Sequence, residues 1–180
     1  MKRLIVVLLV LLSLAWSACG SAGAPGTAPT PTVTQVLTSH YTASLSALNS
    51  SGVSGTVGFQ VTGNVLVVKM NVTGLVPNQK HFQHIHGNGT ATCPTATDAN
   101  GGVTLSEALT NIGPLAFDLQ PYPLTGAQGR LNLTRTFTLD PDELASITPL
   151  TGHVIVLHGA FNQGQYDRFL PAACGLIQAA

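Results

Sequence analysis

Charge is scarce in this chain. Asp, Glu, Lys and Arg make up only 8% of 180 residues, and 7 basic and 7 acidic side chains cancel to a formal net charge of zero. Nucleic-acid binding needs clustered Lys and Arg, so that function class is excluded. Long apolar runs are also lacking. The one run, residues 4–15, is too short for a comfortable membrane span. No internal repeat of fixed period occurs, and no stretch has the periodicity of a long helix. Ser106 and Ser146 have no base arranged beside them in sequence, so nothing supports a hydrolase. What is present is length enough for one domain with a real core, and an abundance of Thr, Val, Gly and Asn. That composition favours strands and turns.

The N-terminus reads as an address. Lys2 and Arg3 open it, the apolar run follows, and Ser17 and Ala18 are small residues before Cys19. Residues 1–19 are therefore expected to be an export signal. Ser17-Ala18-Cys19-Gly20 resembles the lipobox of bacterial lipoproteins, which implies lipidation of Cys19 and a mature chain beginning there. Trp16 departs from the aliphatic residue usual at its position, so a cell-envelope lipoprotein and a simply secreted protein are both kept. Residues 20–31 are uncharged and rich in Gly, Ala, Pro, Ser and Thr, so 20–34 are expected to be a flexible linker. Any membrane attachment would then run through the lipid anchor only. If Cys19 is lipidated, Cys93 and Cys174 remain to form one disulfide, which an exporting cell would preserve.

From residue 35 to 180, short β-forming runs alternate with turn residues. Strands are expected over 35–40, 43–48, 55–62, 65–72, 82–86, 115–119, 129–139, 153–158 and 173–177, with Gly63-Asn64 as a hairpin turn. Asp140-Pro141-Asp142-Glu143 reads as a helix start good for a turn or so, with Asp140 as cap and Glu143 at the third position. Residues 87–105 read as a loop too long for a simple turn. The fold class expected is all-β: an antiparallel Greek-key sandwich or barrel of about eight strands with long loops.

Three of the six histidines fall within six positions, in His81-Phe82-Gln83-His84-Ile85-His86. On extended backbone His84 and His86 share a face and His81 points the other way. Two imidazoles on one strand face make a half-site for copper or zinc. Two histidines on a solvated face would look the same in sequence. A second apolar run, His153-Val154-Ile155-Val156-Leu157-His158, carries a histidine at each end. Five positions apart, these face opposite ways, so only one of them can join a site on a given face.

Together these pieces resemble the copper/zinc superoxide dismutase family over about residues 42–177. The family has a histidine, two residues, then His-x-His, as His81, His84 and His86 stand here. A loop cysteine follows and pairs with one in a C-terminal Ala-Cys-Gly-hydrophobic-Ile motif, matched by Cys93 and by Ala173-Cys174-Gly175-Leu176-Ile177. The last copper ligand ends an apolar strand, which is the place of His158. The resemblance thus implies one copper ion on His84, His86 and His158, His81 supporting the site from outside, a Cys93–Cys174 bridge, and superoxide as substrate.

The departures are as informative. The histidine shared by copper and zinc falls at Ala99, no histidine occurs between His86 and His153, and the zinc aspartate aligns with Asn111. Zinc is therefore not expected. The family's anion-guiding arginine falls at Pro171; Arg168, three positions earlier, takes that role only if the loop is rearranged. Three imidazoles suit Cu(I), or Cu(II) with water. The resulting expectation is an extracytoplasmic copper-binding, superoxide dismutase-like protein with slow turnover at best. Two alternatives stay open: a non-catalytic copper-binding or delivery protein, and a structural sandwich without metal, as in CHRD-type domains.

Overall fold

The computed structural model describes residues 35–95 and 102–180. The export segment with Cys19, the linker over 20–34, and Ala99 lie outside the described residues.

Strands β1 (Thr38–Ala47), β2 (Ser54–Thr62) and β3 (Val65–Thr73) come first. They are followed by β4 (Gln83–His86), helix α1 (Leu105–Ile112), β5 (Leu115–Asp118) and β6 (Leu131–Thr138). Helix α2 (Pro141–Ile147), β7 (Val154–Asn162), β8 (Gln165–Leu176) and the short β9 (Gln178–Ala179) complete the chain. All pairings are antiparallel, in the order β5-β4-β7-β8-β1-β2-β3-β6, with β9 beside β1. The order divides into two four-stranded ladders. They join where Ser46 and Ala47 at the end of β1 pair with Cys174 and Ala173 of β8. The chain leaves the first ladder after β3, builds β4 and β5 on the second, returns for β6 and crosses again for β7. This is the all-β, Greek-key architecture expected.

Period-two burial explains why these segments are strands. In β2, Val57, Phe59 and Val61 are buried; in β3, Leu66, Val68, Met70 and Val72. These side chains meet Ile85, Phe117, Ile155 and Leu157 of the other ladder in one core. Each such buried aliphatic or aromatic residue contributes about 1.5–3 kcal/mol. Strand β7 is buried on both faces. Ile155 and Leu157 lie in the core, while Val154 and Val156 pack with Ala108 and Ile112 of α1, Ala91, Val103 and Cys174. Cys93 and Cys174 form a disulfide with their Cα atoms 5.6 Å apart. It fastens the segment ahead of α1 to β8.

Three elements differ from expectation. The strands expected over 35–40 and 43–48 are one continuous strand, because Tyr41 and Thr42 between them are themselves β-formers and pair with Phe59 and Gly58. The last long strand begins at Gln165 rather than 173, pairing back on β7 through a tight turn after Asn162. Helix α1 lies at the end of the stretch read as loop. Thr104 caps it in a reciprocal box with Glu107, and Gly113 ends it. Helix α2 has the anticipated Asp140 cap, Pro141 start and Glu143 reply.

Candidate metal centre

The second ladder sets the histidines. In β4, Gln83 and Ile85 are wholly buried, leaving His84 and His86 on the other face. His84 stands across from Val156 of β7 on one side and Asp118 of β5 on the other. His158 lies two residues beyond Val156, where the β7–β8 register shifts, and its backbone N–H donates to the Phe82 carbonyl at 2.9 Å. The next residue must be glycine. Gly159 has φ +101°, and a Cβ there would lie 2.2 Å from Tyr166 Oη and 2.7 Å from His81 Nδ1.

One nitrogen from each of His84, His86 and His158 lies within 4.8 Å of the others. The ring centroids are 5.5 Å apart for His84–His86, 4.9 Å for His84–His158 and 6.2 Å for His86–His158. The surrounding groups choose which nitrogens these are. His86 Nδ1 is 3.1 Å from the Gly113 carbonyl oxygen, so Nδ1–H donates there and Nε2 carries the lone pair. His158 Nδ1 donates likewise to the Phe169 carbonyl at 2.8 Å. His84 Nε2 lies 3.0 Å from Tyr122 Oη, whose own proton goes to Asp118 Oδ1 at 2.5 Å. The phenol oxygen therefore accepts from His84 Nε2–H, and Nδ1 carries the lone pair. The remaining atoms converge: His84 Nδ1 is 3.2 Å from His158 Nε2, and His86 Nε2 is buried with no hydrogen-bond partner.

Three lone pairs aimed at one space repel one another unless a cation lies between them. A proton is a poor candidate. Burial foremost pushes the His158 imidazole down to about 4, outweighing its bond to the Phe169 carbonyl, and the neighbouring His84 and His86 push it further. Burial also lowers His84, against the opposing pull of Asp118, and lowers His86, against its bond to Gly113. In the metal-free protein these depressed values carry a sign. Stability is fully present above the ordinary histidine value of 6.5 and is lost as pH falls towards the folded value. For His158 that window runs from 6.5 to about 4, a loss on the order of 2–3 kcal/mol. Melting of metal-free protein at pH 7.5 and pH 4.5 should show it; an unchanged or raised melting temperature at the lower pH would contradict it.

The other sequence candidates separate. His81 is fully buried, its ring nitrogens 2.8 Å from the His158 carbonyl oxygen and 3.0 Å from that of Val76. It thus ties the turn before β4 to the backbone of His158. His153 lies near the start of β7, with Nε2 3.1 Å from the Ser146 carbonyl. His40 is exposed on β1 in the first ladder. Arg168 is exposed on β8, its guanidinium 5.0 Å from the Phe169 ring centroid and 5.9 Å from that of Phe82. Phe82 in turn stacks on Tyr122 at 4.5 Å, so the arginine borders the rings beside His84.

Sequence reasoning missed the partners. Asp118 is legible only as an isolated acid, and Tyr122 follows it in a turn with no motif around it. Gly113 and Phe169 act through backbone carbonyls, which no side-chain pattern encodes. The one usable signal was Thr104-x-x-Glu107, the capping box that announces α1 and so places Gly113.

Fold and site together define a class: a Greek-key β-sandwich with a largely buried three-imidazole cluster on one ladder. No family model and no curated protein matches the chain by sequence. Among solved structures it is similar to superoxide dismutase 5 of Candida albicans in its Cu(II) form, with 14% identity and a TM-score of 0.52 over 80% of this chain and 94% of that one. A glutamate-to-glutamine variant of the same enzyme gives 14% identity and a TM-score of 0.53 over 80% and 93%. A glutamate-to-alanine variant gives the same identity and TM-score over 81% and 92%. The chain has the superoxide dismutase-like fold, and its histidine cluster is compatible with copper.

Proposed function

We propose that this is an extracytoplasmic copper protein that dismutates superoxide at His84, His86 and His158. The observation that carries the reading is the convergence of three ring nitrogens from half-buried His84 and buried His86 and His158, with His86 Nε2 left without any partner. Soft-to-borderline imidazole donors in a set of three suit copper. Bound copper would supply one-electron chemistry, oxidising one superoxide to dioxygen and reducing a second, with two solvent protons, to hydrogen peroxide.

The chain's own residues do the rest. His84 Nδ1, His86 Nε2 and His158 Nε2 hold the metal, and the Gly113 and Phe169 carbonyls and Tyr122 keep each ring in the required tautomer. His81 steadies the backbone of His158 from behind. Arg168, whose guanidinium lies 5.9 Å from the Phe82 ring beside His84, draws the anion in. Its exposure makes that pull sensitive to salt. Zinc is not part of the reading, because the sequence offers no histidine between His86 and His153. Export is supported by the disulfide and by the N-terminal signal pattern, with lipid attachment at Cys19.

Copper-loaded protein should consume superoxide faster than the metal-free form, measured by stopped flow at low ionic strength. Arg168→Ala should lower the second-order rate constant several-fold, an effect that fades as salt is added. Binding of copper with no gain in superoxide decay would instead favour copper storage or delivery. The engagement of Arg168 with two aromatic rings is what keeps that second reading in view.

A further inference from the structure

The strand pairing that sets His84 opposite Asp118 also brings Tyr122 back to the same ring. Asp118 Oδ1 is 3.7 Å from His84 Nε2, too far for a hydrogen bond, and Tyr122 Oη closes the gap with contacts of 3.0 Å and 2.5 Å. The other carboxylate oxygen accepts from Gln120 Nε2 at 2.6 Å, and Phe82 stacks on the phenol ring at 4.5 Å. Both ends of the connection are thus held in place. The phenol stays protonated, since burial and then Asp118 hold it well above its usual range. His86 and His158 lean on neutral backbone carbonyls. Of the three rings, His84 alone is linked through side chains to a carboxylate.

We propose that Tyr122 and Asp118 are positioning residues that form a relay tuning His84, so that the carboxylate's charge reaches the metal ligand through the phenol hydroxyl. The proposal rests on the copper-centre reading above. A carboxylate acting through a hydrogen bond makes an imidazole a more basic donor and fixes its ring. A more basic donor favours the more highly charged ion, so the relay stabilises Cu(II) over Cu(I). The inserted phenol makes that influence weaker than a direct carboxylate contact would be, and adjustable by a single hydroxyl.

The test compares Tyr122→Phe, Asp118→Asn, the double variant and His158→Ala with the unaltered protein. Cu(II) and Cu(I) affinities are measured with competing chelators, and the Cu(II) form by electron paramagnetic resonance. Tyr122→Phe keeps the ring on Phe82 and removes only the hydroxyl. It should weaken Cu(II) binding about 10–100-fold and Cu(I) binding much less. Each tenfold change in that ratio raises the reduction potential by about 59 mV. Asp118→Asn, which keeps the side chain's shape, is the independent check and should move the potential the same way. The double variant should do no more than the larger single, because both cut one connection. An unaltered protein that binds no copper, or a His158→Ala variant that binds it equally well, overturns the copper-centre reading itself. Copper binding that depends on His158, with affinity ratio, potential and spectrum unmoved in both single variants, overturns the relay alone. So does full additivity in the double variant.

Discussion

His158→Ala should abolish tight copper binding, while His153→Ala should leave it nearly intact. His158 lies within β7 and His153 just ahead of it, both are buried, and the local sequence pattern alone ranks them equally. Strand phase separates them. His158 shares its face with Val154 and Val156 and meets His84 at 3.2 Å; His153 is turned to the Ser146 carbonyl. Removing His158 deletes one of three converging nitrogens. The loss should exceed the ~10–100-fold typical of a partner that acts only through a ligand. His153→Ala leaves a cavity and lowers stability, so each variant's melting temperature is read beside its affinity. Competition titrations at neutral pH decide the matter. Equal losses in the two variants, or none in either, would place the metal elsewhere.

Loss of the Cys93–Cys174 bridge should be the largest single effect on stability. The closed loop spans 81 positions. Chain entropy for a loop of that length corresponds to about 4.5 kcal/mol, an upper figure because residual structure in the unfolded chain reduces it. A double Cys→Ser variant should melt on the order of 10 °C lower or more. The bridge also ties the segment before α1 to β8, and α1 covers Val154 and Val156 and ends at the carbonyl that holds His86. Losing it should therefore loosen the metal centre as well as the fold. A melting temperature unchanged by the double substitution, or two free thiols found by mass spectrometry in the oxidised, folded protein, would contradict this.

Much of the architecture was legible because period-two burial is a local signal. The runs that became β2, β3 and β7 alternate or saturate with β-branched residues, and the Gly63-Asn64 turn joins two of them. The capped start of α2 was readable from four residues. The site was half legible. Spacing set His84 and His86 on one face, but His158 joined them only through the family resemblance, since strand pairing between β4 and β7 is a contact of 74 positions that no local pattern carries. The parts played by Tyr122, Asp118 and Phe169 were not legible, and only the capping box of α1 pointed towards Gly113. They act by where the backbone brings a hydroxyl, a carboxylate or a carbonyl. Helix α1 was hidden by the Gly-, Thr- and Asn-rich stretch before it, although Thr104 and Glu107 marked its start. Arg168 sits three positions from where the family's arginine falls, and only the longer course of β8 shows which rings it lies against.

The most direct measurement is metal content by elemental analysis, after the metal-free protein is loaded with excess copper and desalted. One copper ion should remain per chain, with none retained when His84, His86 and His158 are all replaced by alanine. No copper retained by the unaltered protein, or one ion still held by the triple variant, would contradict a copper centre at these three histidines.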